Sequence, residues 1–219
     1  MKIIIKRQKN NKEKSYWQTF EYSNESRVSV AQIIDAINSN LKNDEKIQWD
    51  CSCMQKKCGA CAMVINGVPD LACEYFVNTS KTKELKIEPL SKFPVVSDLV
   101  VDRSVIFTKQ EERKIFRQSD AVINDKEIDY QYNAAKCLKC GLCLEICPNY
   151  VAGGNHLGAV MLHECYLIAS STPASRPNML DNFKEHFEKR CSACMSCRQI
   201  CPVNISTLAS STYFAKQEL

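Results

Sequence analysis

Two segments of the 219-residue chain repeat one cysteine pattern, CLKCGLCLEICP at residues 137–148 and CSACMSCRQICP at residues 191–202. Each reads C-x2-C-x2-C-x3-C-P, with Cys137, Cys140, Cys143 and Cys147 in the first run and Cys191, Cys194, Cys197 and Cys201 in the second. Thiolates at this spacing hold iron–sulfur clusters, and where the run is doubled the last cysteine of each run serves the cluster of the other. The crossover predicts a 4Fe–4S cluster on Cys137, Cys140, Cys143 and Cys201, and a further cluster on Cys147, Cys191, Cys194 and Cys197. Pro148 and Pro202 follow the crossing cysteines, where a fixed φ and a missing N–H steer the chain away from the metal.

A third group lies upstream in DCSCMQKKCGAC. Cys53, Cys58 and Cys61 are spaced C-x4-C-x2-C, and Cys73 follows as a fourth thiol. That is the plant-type spacing for a 2Fe–2S cluster. The loop from Met54 to Gly59 is short enough to turn backbone N–H groups toward the sulfurs, which offsets their charge and tunes the potential. Gly59, directly after a ligand position, permits a backbone angle that a Cβ would penalise. The competing reading is zinc, whose ligands come as two C-x2-4-C pairs and fit the four-residue gap less well. These groups use all the cysteines but Cys51, read as a spare thiol beside a ligand, and Cys165, read as a small buried hydrophobe.

The elements that must position these groups are legible around them. Residues 2–8 and 14–22 are β-rich and separated by KNNK, which predicts a hairpin. Ser29 followed by Gln32 predicts a capping box. Val30, Ile33, Ile34, Ile37 and Leu41 then form one helical stripe. Ala62–Ile65 reads as a strand, Asn66-Gly67 as a tight turn and Val68 to Cys73 as the return. Leu85, Ile87 and Pro89 close the segment with another strand. Over residues 91–105 the alternation stops and a helical pattern is expected, with the domain boundary near Pro94. Beyond it the chain reads as helical up to Cys137, as a helix buried on one side through 156–169, as a loop at 170–179 and as a helix at 182–190. The fold class is α+β: an N-terminal β-grasp, ferredoxin-like 2Fe–2S domain at residues 1–100 and a C-terminal all-α, two-cluster ferredoxin-like domain at residues 101–219.

Composition narrows the function. A net charge of +4 is small and dispersed, so no nucleic-acid partner is expected. Lys2, Lys6, Lys9, Lys12 and Lys14 read as the solvated face of the first hairpin. The N-terminus has too short an apolar run for a signal peptide. The run at 156–169 is interrupted by His163 and Glu164 and is too short to span a bilayer, so no membrane span is expected. Cysteines at metal spacings, rather than disulfide spacings, fit a reducing cytosol.

In combination, CGACAMVINGVPDLAC (58–73), IEPLSKFPVVSDLVVDRS (87–104), CLKCGLCLEICPNY (137–150), HLGAVMLHECY (156–166) and CRQICPVNI (197–205) resemble the iron–sulfur subunits of the succinate dehydrogenase/fumarate reductase family. The resemblance runs nearly end to end. It implies an electron wire docked on a flavoprotein that interconverts succinate and fumarate at FAD. The wire leads toward a quinone, usually at membrane anchor subunits, from the inner, cytoplasmic face of the membrane. The chain carries no dinucleotide-binding glycine fingerprint, which places FAD on the partner. No catalytic residue is expected on this chain.

Two positions depart from that family. Common members have an apolar residue where Cys194 stands and a 3Fe–4S cluster as a result. Here Cys194 predicts a second 4Fe–4S cluster, the alternative being a 3Fe–4S cluster with Cys194 a spectator. The family's quinone-pocket Trp and His are replaced by Val151 and Ala152 and by Ser192, leaving Pro148, Asn149 and Ser192 as the candidate pocket. Either a different quinone binds by other contacts or the donor is not a quinone; the runner-up is a related flavoprotein reductase that acts on another unsaturated acid or is driven by a soluble thiol or ferredoxin-type donor, and a stand-alone carrier is the third reading. His156 and His163 are read as structural.

Overall fold

The computed structural model describes residues 1–24, 27–122 and 125–217. The chain divides into two compact units, Met1–Arg103 and Ser104–Leu219.

In the first unit, β1 (Lys2–Arg7) and β2 (Tyr16–Glu21) form the hairpin. The sheet order is β2-β1-β7-β4-β5, with β4 at Ala62–Ile65, β5 at Val68–Leu71 and β7 at Glu84–Glu88. β1 and β7 run parallel; the other neighbours are antiparallel. Strand period sends Ile3 and Ile5 of β1 and Leu85 and Ile87 of β7 inward. The helix α1 (Val30–Ser39) contributes Ile33, Ile34 and Ile37 to the core, while Leu41 falls beyond its end. Its start is a complete capping box: Ser29 Oγ accepts from the Gln32 amide and the Gln32 side chain accepts from the Ser29 amide. The amides of Val30 and Ala31 donate to the carbonyls of Tyr75 and Ala72, both at 2.9 Å, so the helix start is fastened beside Cys73. A short pair, β3 (Arg27–Ser29) with β6 (Phe76–Asn78), completes that junction.

The stretch expected to turn helical at 91–105 does not. It forms an antiparallel pair, β8 (Val95–Ser97) with β9 (Val100–Val101), and helix begins only at Ser104. Asp98 holds that hairpin turn at φ 46°. Its carboxylate accepts from the amides of Gln8 and Gln48, each at 2.9 Å. Arg7 Nε lies 2.9 Å from Asp98 as a buried ion pair, although its N–H is not aimed at the oxygen. The Arg7 fork donates instead to Gln18 Oε1 at 2.7 Å and to the carbonyls of Glu45 and Lys46. Arg7 follows the inward period of β1, and long-range pairing of that kind leaves no local pattern in 91–105.

The second unit is helical. It comprises α2 (Ser104–Glu112), α3 (Ile128–Ala135), α4 (Leu142–Ile146), α5 (Gly158–Ser171), α6 (Arg176–Phe183), α7 (Ser196–Gln199) and α8 (Thr207–Lys216). α5 is its axis, packed against α3, α4, α6 and α8. Every α5 residue except Glu164 and Leu167 is buried. The expectation of a one-sided helix is thus corrected: a helix apolar all round belongs at a domain centre. The expected loop at 170–179 is also corrected, being a 3-10 turn at Pro173–Ser175 that runs into α6. Both prolines sit in first-turn positions, where the missing N–H has no intrahelical partner to lose. The expected helix at 182–190 is the end of α6 followed by a π-helical turn at Lys184–Glu188. Between α2 and α3 the chain is less helical than expected, with turns and bends from Arg113 onward. Among the described residues no helix is long and apolar enough to cross a membrane.

Candidate metal centres

All fourteen cysteine thiols are free. All but Cys165 gather in three places, and the local backbone explains how.

In the first unit the loop after Cys53 alternates left-handed residues, with Met54, Lys56 and Gly59 at φ 54°, 60° and 74°. Alternation of that kind aims successive amides into one concavity. The amides of Gln55 and Lys57 each donate to Cys53 Sγ at 3.3 Å, that of Lys56 to Cys73 Sγ at 3.3 Å, and that of Ala60 to Cys58 Sγ at 3.5 Å. Cys53 and Cys58 are half-buried on this loop, whereas Cys61 and Cys73 are buried. Hydrogen bonds from the Gln55 and Lys57 amides hold the half-buried Cys53 thiol down to about 7, whereas burial pushes Cys61 up to about 12. Arg103 braces both ends of the loop, pairing with Asp50 at 3.3 Å and donating to the Ala60 carbonyl at 3.0 Å. Cys51 is exposed and donates to Met54 Sδ at 3.2 Å, while its thiol is raised by burial and by the charges of Asp35, Cys58, Cys73 and Cys53.

In the second unit α4 packs against α7, which brings the two runs together. Cys137, Cys140, Cys143 and Cys201 line one small cavity of about 20 Å³. Cys147, Cys191, Cys194 and Cys197 line another of about 220 Å³, and Cys197 borders both. Burial raises Cys143 well above its ordinary value. The left-handed pattern is the same in each run: Lys139 and Gly141 flank Cys140 at φ 53° and 89°, and Ala193 and Met195 flank Cys194 at φ 52° and 61°. Cys194 is exposed, and hydrogen bonds from the hydroxyl and amide of Ser196, with one from the Ser192 hydroxyl, hold its thiol below the usual value. Asn149 and Ser192 line the larger cavity, whereas Pro148 is exposed beside it. Asn149 donates to the Arg190 carbonyl at 2.8 Å.

Several side chains around these cavities were not singled out by the spacing. Thr207 Oγ1 lies 3.6 Å from Cys197 Sγ, and the Ile205 amide donates to Cys201 Sγ at 3.4 Å. His163 lines the smaller cavity with its Nδ1 3.0 Å from Ser210 Oγ, and burial lowers it to about 4, which keeps it neutral. His156 lines the larger cavity, its Nδ1 2.9 Å from the His186 carbonyl. Cys165 is fully buried away from all three groups' hydrogen bonds, and burial pushes its thiol far up.

The donor set fits iron–sulfur clusters. Each group offers four thiols, with amides or hydroxyls turned toward sulfur, as sulfide-bridged metal with thiolate ligands requires. The sulfurs of the second unit are spread around cavities; among the described residues no three Cys, His, Asp or Glu side chains meet at a single-ion site.

Residues 2–108 match the family of 2Fe-2S iron-sulfur cluster binding domains, and residues 136–204 that of 4Fe-4S double cluster binding domains. The chain is 28% identical to the succinate dehydrogenase iron-sulfur subunit of Bacillus subtilis, over 96% of this chain and 89% of that one. It is 30% identical to the same subunit of Paracoccus denitrificans, over 80% and 71%. It is 27% identical to the fumarate reductase iron-sulfur subunit of Escherichia coli, over 87% and 81%. A chain of the Mycobacterium smegmatis Sdh1 complex shares its fold with a TM-score of 0.76 at 20% identity, over 99% of this chain and 96% of that one. Matched cluster domains in both halves, and relatives aligned across both, make this chain a member of the succinate dehydrogenase/fumarate reductase iron–sulfur subunit family.

Proposed function

We propose that the chain is the electron-transfer subunit of a succinate dehydrogenase or fumarate reductase complex. It relays electrons between FAD on a partner flavoprotein and a quinone at membrane anchor subunits, and sits peripherally on the inner face of the cell membrane. Cys53, Cys58, Cys61 and Cys73 would hold a 2Fe–2S cluster, with loop amides donating to the sulfurs of Cys53, Cys58 and Cys73. Cys137, Cys140, Cys143 and Cys201 would hold the medial 4Fe–4S cluster. Cys147, Cys191, Cys194 and Cys197 would hold a distal 4Fe–4S cluster. The clusters supply one-electron chemistry; the chain supplies the ligands, the amides that offset their charge and the walls that exclude water.

The observation that carries this reading is the crossing of the two runs. Cys201 borders the cavity of the first run and Cys147 that of the second, as a two-cluster wire requires. The left-handed backbone on both sides of Cys194, repeating that around Cys140, supports a fourth iron at the distal site.

The runner-up donor, soluble rather than a quinone, is favoured by one feature. The positions of the family's quinone-pocket Trp and His hold Val151, Ala152 and Ser192, and the Ser192 hydroxyl serves Cys194. Isolating the complex anaerobically tests both. The expected result is co-purification with a larger FAD-containing subunit, with iron and labile sulfide, and fumarate reduction driven by quinols. Reduction driven only by dithiols or a reduced ferredoxin would select the runner-up. A flavin-free monomer, or zinc in place of iron, would defeat the reading.

A further inference from the structure

The loop that carries Cys53, Cys58 and Cys61 follows Asp50 and runs into β4 at Ala62. The last segment of the first unit returns to both ends of it. Gln48, just ahead of the loop, donates its amide to Asp98 at 2.9 Å and accepts from the Leu99 amide at 3.1 Å. The Asp102 amide donates to the Pro94 carbonyl at 2.8 Å and closes the β8–β9 hairpin. That hairpin delivers Arg103.

Arg103 Nη1 lies 3.3 Å from Asp50 Oδ2, while Nη2 donates to the carbonyls of Ala60 at 3.0 Å and Ala62 at 3.4 Å. Those two carbonyls flank Cys61, whose own carbonyl accepts from the Ala72 amide at 3.0 Å. Ala60 also reaches the neighbouring thiol, since its amide donates to Cys58 Sγ at 3.5 Å. One guanidinium thus spans the start of the loop and the turn from Cys58 to Cys61. A rigid planar fork is pre-organised for such bridging, and an ammonium on a flexible stem is not.

The same geometry fixes a charge. A guanidinium stays protonated throughout the physiological range. The Arg103 side chain is 17% exposed, whereas Lys56 on the loop is 36% exposed and paired with Glu74 at 2.8 Å. Lys57 is exposed. Solvent screens the lysines more than it screens the arginine, and Asp50, 41% exposed, offsets the arginine only in part.

We infer that Arg103 is a positioning residue of the 2Fe–2S centre, which clamps the turn around Cys61 and, through a fixed charge beside it, raises that centre's reduction potential. This rests on the ligand set of Cys53, Cys58, Cys61 and Cys73 proposed above. Reduction adds one electron and makes the centre more negative, and a cation held in a partly dry site favours that state.

The test is a redox titration of the full chain, purified anaerobically with its clusters, followed by the paramagnetic signal of each cluster. Iron, labile sulfide and a 2Fe–2S signal in the wild type check the ligand set; their absence would defeat that reading and this one together. With them present, the variants test Arg103 alone. Arg103→Gln should disfavour reduction of the 2Fe–2S centre about tenfold, a negative shift of about 59 mV for a one-electron couple. The other clusters should keep their potentials. Arg103→Lys, which retains the charge without the fork, should recover more than half of the shift. Asp50→Asn removes the opposing charge while both carbonyls still hold Arg103, and should move the potential the other way. An unchanged potential in Arg103→Gln, an equal shift of all clusters, a Lys variant that falls as far as Gln, or a negative shift in Asp50→Asn would each overturn the inference. Loss of the 2Fe–2S iron from both Arg103 variants would also overturn it, in favour of a purely structural brace.

Discussion

The two cysteine runs share a backbone and differ in almost everything that touches it. Left-handed residues flank Cys140 and Cys194 alike, and the two runs meet through α4 and α7. Yet Cys140 is buried in a cavity of about 20 Å³, while Cys194 is exposed at the edge of one of about 220 Å³. The left-handed position after the second cysteine is Gly141 in the first run but Met195 in the second, where a side chain must bear the angle. Chelation geometry is thus repeated, whereas dielectric surroundings and solvent access are not. A buried cluster suits passage of electrons, and an exposed one suits exchange with a partner.

The largest test of that contrast is one substitution made at matching positions. Cys140→Val should cost the medial cluster and, with it, more than about 5 kcal/mol, comparable to the whole stability of a typical domain. Low yield and missing iron would report it. Cys194→Val should leave a folded chain whose distal cluster has one iron fewer and shows an isotropic paramagnetic signal when oxidised anaerobically. That signal in the wild type, unchanged by the substitution, would instead make Cys194 a spectator. Next in size is Gly158→Ala. Gly158 has φ +70°, and a Cβ there would run into Leu144 on α4. The expected loss is about 1–3 kcal/mol in chemical denaturation, with cluster content retained. The smallest effect sharpens the Gly141/Met195 difference: Gly141→Ala should cost about 1–2 kcal/mol, whereas Met195→Gly should gain at most about 1 kcal/mol. Equal and opposite changes at other sites would not mimic that asymmetry.

Local signals in the sequence predicted local structure well. Ser29 and Gln32 form the capping box, and Asn66 and Gly67, at φ 49° and 79°, make the tight turn between β4 and β5. In the second unit the cysteines grouped by spacing and crossover line the same two cavities. What escaped was decided by distant partners. The β8–β9 hairpin depends on Asp98 meeting Gln8, Gln48 and Arg7, none of them near in sequence. The one-sided reading of α5 failed because a helix enclosed by four others needs no polar face. Two prolines, Pro173 and Pro177, suggest a loop at 170–179, yet first-turn prolines suit helices equally.

The crossing of the runs has a consequence for biogenesis. Cys147 of the first run borders the cavity of the second, and Cys201 of the second borders the cavity of the first. Whichever cluster arrives first draws both segments together and holds two or more thiols of the vacant site in register, so the second arrival meets far less chain entropy. Maturation of this half should therefore be close to all-or-none, with singly loaded chains scarce. The 2Fe–2S group, whose four cysteines all lie within residues 53–73, shares no ligand with the pair and can be filled on its own schedule.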